Sequence, residues 1–529
     1  MLPLVFAALL SLAAPVGAPT APSGTLERVP PERAWRETAD ACAAEPLRKT
    51  GAIHFFCDCG PGAAPGCVPG DDGNLGSSPS APKRTGFQAQ FATMAAGSTV
   101  ALCRGGAWSV GAVRMRNPRC RAGATCDLRD YVAPWNRGGE ERPKVAGSYV
   151  AWFPDDRVHH EGYRFLNLQA STTGGQGAFF FSGDVSDVDI CNVLFADADL
   201  GVYWAAPEGM RRITVRGSRF ERTGTGILGG CSECAVDANF FANTSYAFDD
   251  MRQHPVYVSG TASRMRVTNN EIHGNRPGRS TRAGSALLVV HGAHEDLLIE
   301  NNLVQADGAL QGDGAAGTWG ISVGHGNYTS TGPSRFRRTV IRGNRLVNVG
   351  EYAIDLAQCA DCVVESNVVV MPANHAGWSG IVAGASGPRA GIDAPGDDLT
   401  TRSIVRNNTI YFRGAPGRGI RILREGTGHV VANNVVFFRG APGSCLELPL
   451  PPDAYALVSH NACNGTWASN ARTARLTLTS SPFVAAGEGD LSPAAHGPLV
   501  GRGTPAHRPA RDLAGRPRPT PPSIGALEP

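Results

Sequence analysis

Apolar and polar residues alternate along this chain in short bursts, and the bursts are set around an asparagine. "ITVRGSRF", "CAVDANFF", "MRVTNNEI", "LLIENNLV", "TVIRGNRL", "CVVESNVV", "SIVRNNTI" and "HVVANNVV" share one frame: two apolar positions at alternating spacing, Asn or Ser, then a second apolar pair. The anchors are Asn192, Ser218, Asn239, Asn270, Asn302, Asn344, Asn367, Asn408, Asn434 and Asn461, spaced from 21 residues (218 to 239) to 42 (302 to 344). A period of two predicts strands with one buried face. Without helical segments or Asn-Gly hairpin turns between them, the strands fit neither βαβ units nor antiparallel meanders. A strand–turn–strand unit with inserted loops predicts stacked coils instead. Stacking places each asparagine about 4.8 Å from the next, so the amides can hydrogen-bond along the column and to turn backbone. A lone buried amide would cost about 1–3 kcal/mol, and the ladder offsets that. The predicted fold is all-β: a single-stranded right-handed parallel β-helix of about ten or more coils, with an asparagine ladder.

The ends break the pattern. "MLPLVFAALLSLAAPVGA" is an apolar run followed by small residues and reads as a signal peptide over 1–20, although it lacks the usual basic n-region. Residues 21–51 are expected to be a Pro-rich linker, 52–160 N-terminal coils and a cap, 161–470 the β-helix repeats, and 471–529 a C-terminal tail or cap. No later apolar run is long enough to span a membrane. The protein is therefore expected outside the cell, in a periplasm or at a cell surface. A formal net charge of +3 gives no basis for binding nucleic acid. Of the 49 basic residues only Lys49, Lys83 and Lys144 are lysines, so cationic chemistry after Lys144 falls to arginine or histidine.

Several segments resemble secreted proteins of the right-handed parallel β-helix, pectate-lyase-like superfamily. "DDGNLGSSPSAPKRTGFQ" followed by "AGSTVALCRGGAW" looks like the first coils of that group, and "RDYVAPWNRGGEERPKVAG" like the next. The ending "GPLVGRGTP…RDLAGRPRPTPPSIGALEP" resembles a tail common in the same exported proteins. The resemblance covers the chain from about residue 52. It implies the fold and leaves the reaction open, since the scaffold carries lyases, hydrolases, epimerases and non-catalytic adhesins.

Fourteen cysteines in an exported chain are read as disulfides. "CSEC" (Cys231, Cys234) and "CADC" (Cys359, Cys362) sit four coils apart, roughly 19 Å along the axis, too far to share one zinc ion. Each pair is expected to staple its own turn, and Cys445 with Cys463 to tie the last coils. The other pairings cannot be deduced from spacing. No metal site is expected. A calcium requirement stays open with no motif behind it, because "DDGN" (Asp71–Asn74) lacks the EF-hand spacing and reads better as a polar turn.

A second frame, G-[I/V]-x-[apolar], follows each asparagine strand: "GVYW", "GILG", "PVYV", "GISV", "AIDL", "GIVA", "GIRI" and "CLEL". Alternation turns its third residue outward. The expected outward column is Tyr203, Leu228, Tyr257, Ser322, Asp355, Val382, Arg421 and Glu447, with Leu288 after Tyr257. His254, Trp319, Tyr352 and Arg418 stand just before this strand, and Ser259, His291 and His325 just after it. Such a column suits an extended sugar chain. Tyr203, Trp319 and Tyr352 offer stacking faces, Arg418 and Arg421 can pair a uronate carboxylate, and Ser322 and Glu447 add polar contacts. His254 and Tyr257 are candidates for general base and acid, with His325, Asp355 and Arg421 as further catalytic candidates. Aromatic and polar residues also occupy outward strand positions without binding anything.

The expected function is a polysaccharide lyase of polyuronate type, acting on a polysaccharide as a monomer. A non-catalytic adhesion or glycan-binding spacer is the alternative. A polygalacturonase-type hydrolase is a third reading, from "GHG" at Gly324–Gly326 with Asp249, Asp250 and Arg421. Leu423 stands where that motif set has lysine, and the spacing is too wide.

Overall fold

The computed structural model describes residues 28–529 apart from 48–49, 137–138, 140, 173–176, 243, 245–253, 275–285, 307–318, 325–333, 375, 385–398, 424–425 and 468–473. The signal-like start, Asp249, Asp250, His325 and most of the long insertions thus lie outside the described residues.

The strands before the asparagines, such as Arg266–Thr268 and Leu298–Glu300, stack in parallel into one 14-stranded sheet running from Ile53–Phe56 to Tyr455–Ser459. The strands after the asparagines form a second wall, and the second-frame strands form a third. Near the N-terminal end, Lys144–Phe153, Leu194–Trp204 and Arg219–Gly229 are long enough to run through both of these walls. This is a right-handed parallel β-helix. Its interior is lined by apolar side chains in register. Phe195, Phe220 and Phe241, in successive coils, stack with centroids 4.6 and 4.5 Å apart.

The turn between the first two walls explains the paired asparagines. The first of each pair takes a left-handed backbone, as at Asn269 (φ 58°), Asn301 (53°), Asn407 (51°) and Asn433 (58°). The second turns inward and carries the ladder. From Asn239 through Asn270, Asn302, Asn344, Asn367, Asn408 and Asn434 to Asn461, each side-chain oxygen accepts from the Nδ2 of the asparagine before it, at 2.9–3.0 Å. Each Nδ2 in the row also donates to a backbone carbonyl of the preceding coil, at 2.9–3.0 Å. Seven of the eight are fully buried with every polar atom engaged, so the row supplies the partners that burial demands. Asn192 is a correction to the anchor row. Leu194 pairs with Arg219, so the register mate of Ser218 is Val193, and Asn192 holds the left-handed position (φ 54°) instead.

Both chain ends strap this asparagine edge. The stretch expected as a linker holds a helix, α1 (Pro31–Ala44). Proline at its start is compatible with a helix, and Pro31, Ala34, Trp35, Ala39 and Cys42 form its buried stripe. Trp35 packs 5.0 Å from Phe240 and donates to Glu271 Oε2 at 2.7 Å. Gly217 (φ 56°) lies under the helix, and a Cβ there would sit 2.8 Å from the Ala39 nitrogen. The C-terminal tail covers the later coils. Phe483 packs on Phe437 (6.0 Å) and Tyr411 (6.2 Å), and the carbonyl of Thr504 accepts from Asn433 at 2.9 Å. The straps meet where the Arg28 amide donates to the Ala514 carbonyl at 3.1 Å.

On another edge, just before the first wall, a second left-handed position recurs. It is filled by Asp187, Arg212, Glu233, Arg264, Asp296, Arg338, Asp361 and Arg402, with φ between 49° and 60°. The signs alternate from coil to coil. Arg212 bonds Asp187 at 2.8 Å and approaches Glu233 at 3.7 Å; Arg338 bonds Asp296 at 2.7 Å, and Arg402 bonds Asp361 at 2.6 Å. The Arg212 guanidinium holds the Asp187 carboxyl below the usual carboxylate range, and Arg402 does the same for Asp361.

All fourteen cysteines are paired. Cys231–Cys234 and Cys359–Cys362 close within their own turns, and Cys445–Cys463 ties the last coils. The remaining pairs are Cys42–Cys191, Cys57–Cys103, Cys59–Cys67 and Cys120–Cys126. Disulfides on this scale persist in oxidising compartments. Asp71–Asn74 is a polar turn in which Asp71 accepts the Gly73 amide at 2.8 Å and Asp72 accepts those of Arg84 and Thr85 at 3.0 and 2.8 Å. No helix among the described residues is long and apolar enough to cross a membrane.

Candidate functional site

Register along the third wall fixes the outward column as Tyr203, Leu228, Tyr257, Val289, Ser322, Asp355, Val382, Arg421 and Glu447. Val289 replaces the expected Leu288, which pairs with Val256 and lies in the core. "ALLVV" is apolar throughout and shows no alternation to fix the register, and a slip of one residue exchanges the faces.

The column divides into three parts. Tyr203, Leu228 and Tyr257 are half-buried; Val289, Ser322, Asp355 and Val382 are buried; Arg421 and Glu447 are half-buried again. Over the central part, Trp319 and Tyr352 pack edge to face at 4.9 Å and form a small apolar cluster with Ala286 and Val289, against which Tyr257 also rests. Trp319 is buried and donates its Nε1–H to Glu351 at 3.2 Å, so its ring packs against protein. Alternation tells which side of a strand a residue faces, not whether that side is open.

His325 lies outside the described residues, and the other four catalytic candidates are not brought to one point. Tyr257 and Arg421 are separated by five strand steps, about 24 Å. Arg421 Nε bonds Glu447 Oε2 at 2.8 Å, Arg418 lies 3.4 Å from the same carboxylate, and Arg421 Nη1 reaches Ser379 Oγ at 3.5 Å. Asp355 lies two steps from Arg421, under the central cover. Tyr203 lies two steps from Tyr257 on the other side.

His254 and Tyr257 are brought together, with ring centroids 5.2 Å apart. His291 stands on the other side of Tyr257 at 5.3 Å. It follows the outward strand directly, and that position was the only sign of it in the sequence. Both imidazoles are buried and spend Nδ1–H on a carbonyl of the next coil: His254 on Ala286 at 2.6 Å, His291 on Gly324 at 2.9 Å. In the neutral ring this bond leaves the basic lone pair on Nε2. A phenol flanked by two imidazoles of one tautomer can accept or pass a proton. Behind them His294 donates Nε2–H to the His291 carbonyl at 3.0 Å, and burial pushes its pKa down to about 4. Among the described residues no group of three or more His, Cys, Asp or Glu side chains is placed to hold a metal ion.

No family model matches this chain, and no curated protein does. Among solved structures it is similar to the pectate lyase Pel9A, at 12% identity over 90% of this chain and 97% of that one, TM-score 0.39. It is also similar to the catalytic unit of a GH87 alpha-1,3-glucanase from Streptomyces thermodiastaticus (12% identity, 73% of this chain and 63% of that one, TM-score 0.40). The PL6 family alginate lyase AlyGC gives 14% identity over 78% and 54% of the two chains, TM-score 0.43. At these scores none of the likenesses bears on a residue or a reaction of this chain.

Proposed function

We propose that the protein is an exported, carbohydrate-active β-helix enzyme, a polyuronate lyase with His254 and Tyr257 as its acid–base pair. The observation that carries this is the Nδ1–H bond of His254 to Ala286, which puts a base at Nε2 beside a phenol on an outward strand. His254 Nε2 takes the proton from the carbon next to the uronate carboxylate. The freed electron pair forms the ring double bond as the adjacent carbon–oxygen glycosidic bond breaks, and the Tyr257 phenol protonates the departing oxygen. Transfer of the proton from imidazolium to phenolate restores both groups. His291, when protonated, would carry the uronate carboxylate from the far side of Tyr257, while Arg418 and Arg421 would meet a unit several residues along the sugar chain. The signal-like start and seven disulfides support export.

The test is the ultraviolet absorbance of unsaturated uronate released from alginate, polygalacturonate and related polymers. Tyr257→Phe should keep the unfolding midpoint and lose about 10²–10⁴ in rate, the usual worth of a general acid or base. His254→Ala should lose as much. Full turnover in both variants would move the chemistry elsewhere. No cleavage of any polymer by the wild type would leave the non-catalytic glycan-binding reading.

A further inference from the structure

We propose that Trp152, Phe180 and Tyr203 form a stacking platform for an acidic polysaccharide, upstream of His254 and Tyr257 on the same face. The inference rests on the polysaccharide reading and deepens it, by giving the substrate a second set of contacts.

The three rings are successive register mates in the outward column, which continues through Leu228 to Tyr257. All three are half-buried. Phe180 and Tyr203 have centroids 5.3 Å apart, and Tyr149 joins them from the side, stacked on Phe180 at 5.3 Å and tilted to Trp152 at 5.5 Å. Trp152 is fixed by its Nε1–H bond to Ser182 Oγ at 3.2 Å. The exposed Arg114 guanidinium lies 4.8 Å over the Trp152 ring.

Three outward aromatic rings elsewhere on this solenoid are covered by the chain itself: Phe240 by Trp35 of α1, Tyr411 and Phe437 by Phe483 of the tail. Among the described residues no segment lies over the Trp152–Tyr203 file in that way. The occupant that fits is a sugar chain. A file one residue wide across three coils is far smaller than the roughly 800 Å² per partner of a stable protein interface. Rigid rings with polar tips suit a ligand that is apolar on one face and hydroxylated at its edge. The phenols of Tyr149 and Tyr203 have no hydrogen-bond partner among the described residues. Arg114 at the rim complements a carboxylate. Leu228 alone separates the file from Tyr257, so one chain lying along the column would reach both.

The experiment uses the full chain with polygalacturonate and alginate as probes, reading retention in native gels containing each polymer and the kinetics of cleavage. Trp152→Ala and Phe180→Ala should each raise KM on the polymer, or weaken retention, about tenfold, with kcat unchanged, because uniform binding is what they remove. Trp152→Phe should keep most of the affinity. Arg114→Gln should weaken both uronate polymers and leave melting unchanged. If the wild type binds or cleaves the polymers while Trp152→Ala and Phe180→Ala stay within twofold of it, the platform is wrong and the proposed function stands. If the wild type neither binds nor cleaves them, both fall together.

Discussion

Two files of aromatic rings climb the solenoid, one inside and one outside, and they share the coil that carries both Phe195 and Tyr203. Phe195, Phe220 and Phe241 stack at 4.6 and 4.5 Å with no exposure, while Phe180 and Tyr203 stand 5.3 Å apart and half-exposed. The spacing is nearly the same because the strand repeat sets it. Ring stacking on a β-helix is therefore no sign of binding. What separates the files is open surface, polar tips and a cation at the rim.

Substituting one ring from each file breaks the comparison most sharply. Phe220→Ala empties a site in the core and should cost about 3–5 kcal/mol. Phe180→Ala should cost about 1 kcal/mol or less. Urea midpoints of the two variants read the difference directly, and equal losses would make the outer file structural.

The imidazoles repeat the contrast. His294 stacks on Phe336 inside, at 5.7 Å and 10°, whereas His254 and His291 flank Tyr257 on the outward strand. Burial lowers the His294 pKa from 6.5 to about 4. The unfolded chain therefore takes up this proton first. The contribution is whole above about 6.5 and declines as pH falls toward about 4, by up to about 3 kcal/mol. His294→Gln should flatten the stability curve across that window, and an unchanged slope would assign the acid sensitivity to other groups.

A third file, of amides, lies on the strapped edge. Asn302 donates to Val267 and Asn344 and accepts from Asn270, all within 3.0 Å. Asn302→Leu should lower stability by about 1–3 kcal/mol. The loss should be the same with or without polymer, since the proposed sugar face lies on another wall of the solenoid. An unchanged midpoint would mean that the ladder is not needed.

The repeat was legible because strand alternation and the asparagine both recur in the sequence. The column from Tyr203 to Glu447 could be ordered on that basis, with the slip at Val289 arising where the strand is apolar throughout and shows no alternation. The coils before Ser218 carry Leu168 and Val193 at the anchor position, so no asparagine marked Trp152 or Phe180 as column members. Helix α1 was hidden by the prolines on its flank. The cover over Ser322 and Asp355 could not be read from alternation. It depends on rings contributed by neighbouring coils, including Trp319 and Tyr352, whose separation in sequence varies with the insertions.

The alternating charges at the left-handed edge have one more consequence. Consecutive coils carry opposite signs from Asp187 to Arg402. Loss or gain of a single coil there would set two like charges one strand step apart, which is destabilising. Loss or gain of two coils would restore every contact. The column thus acts as a parity check on the length of the solenoid: growth or shrinkage in pairs passes, and an odd change is penalised. A strand that docks one coil out of place while the chain winds up meets the same penalty.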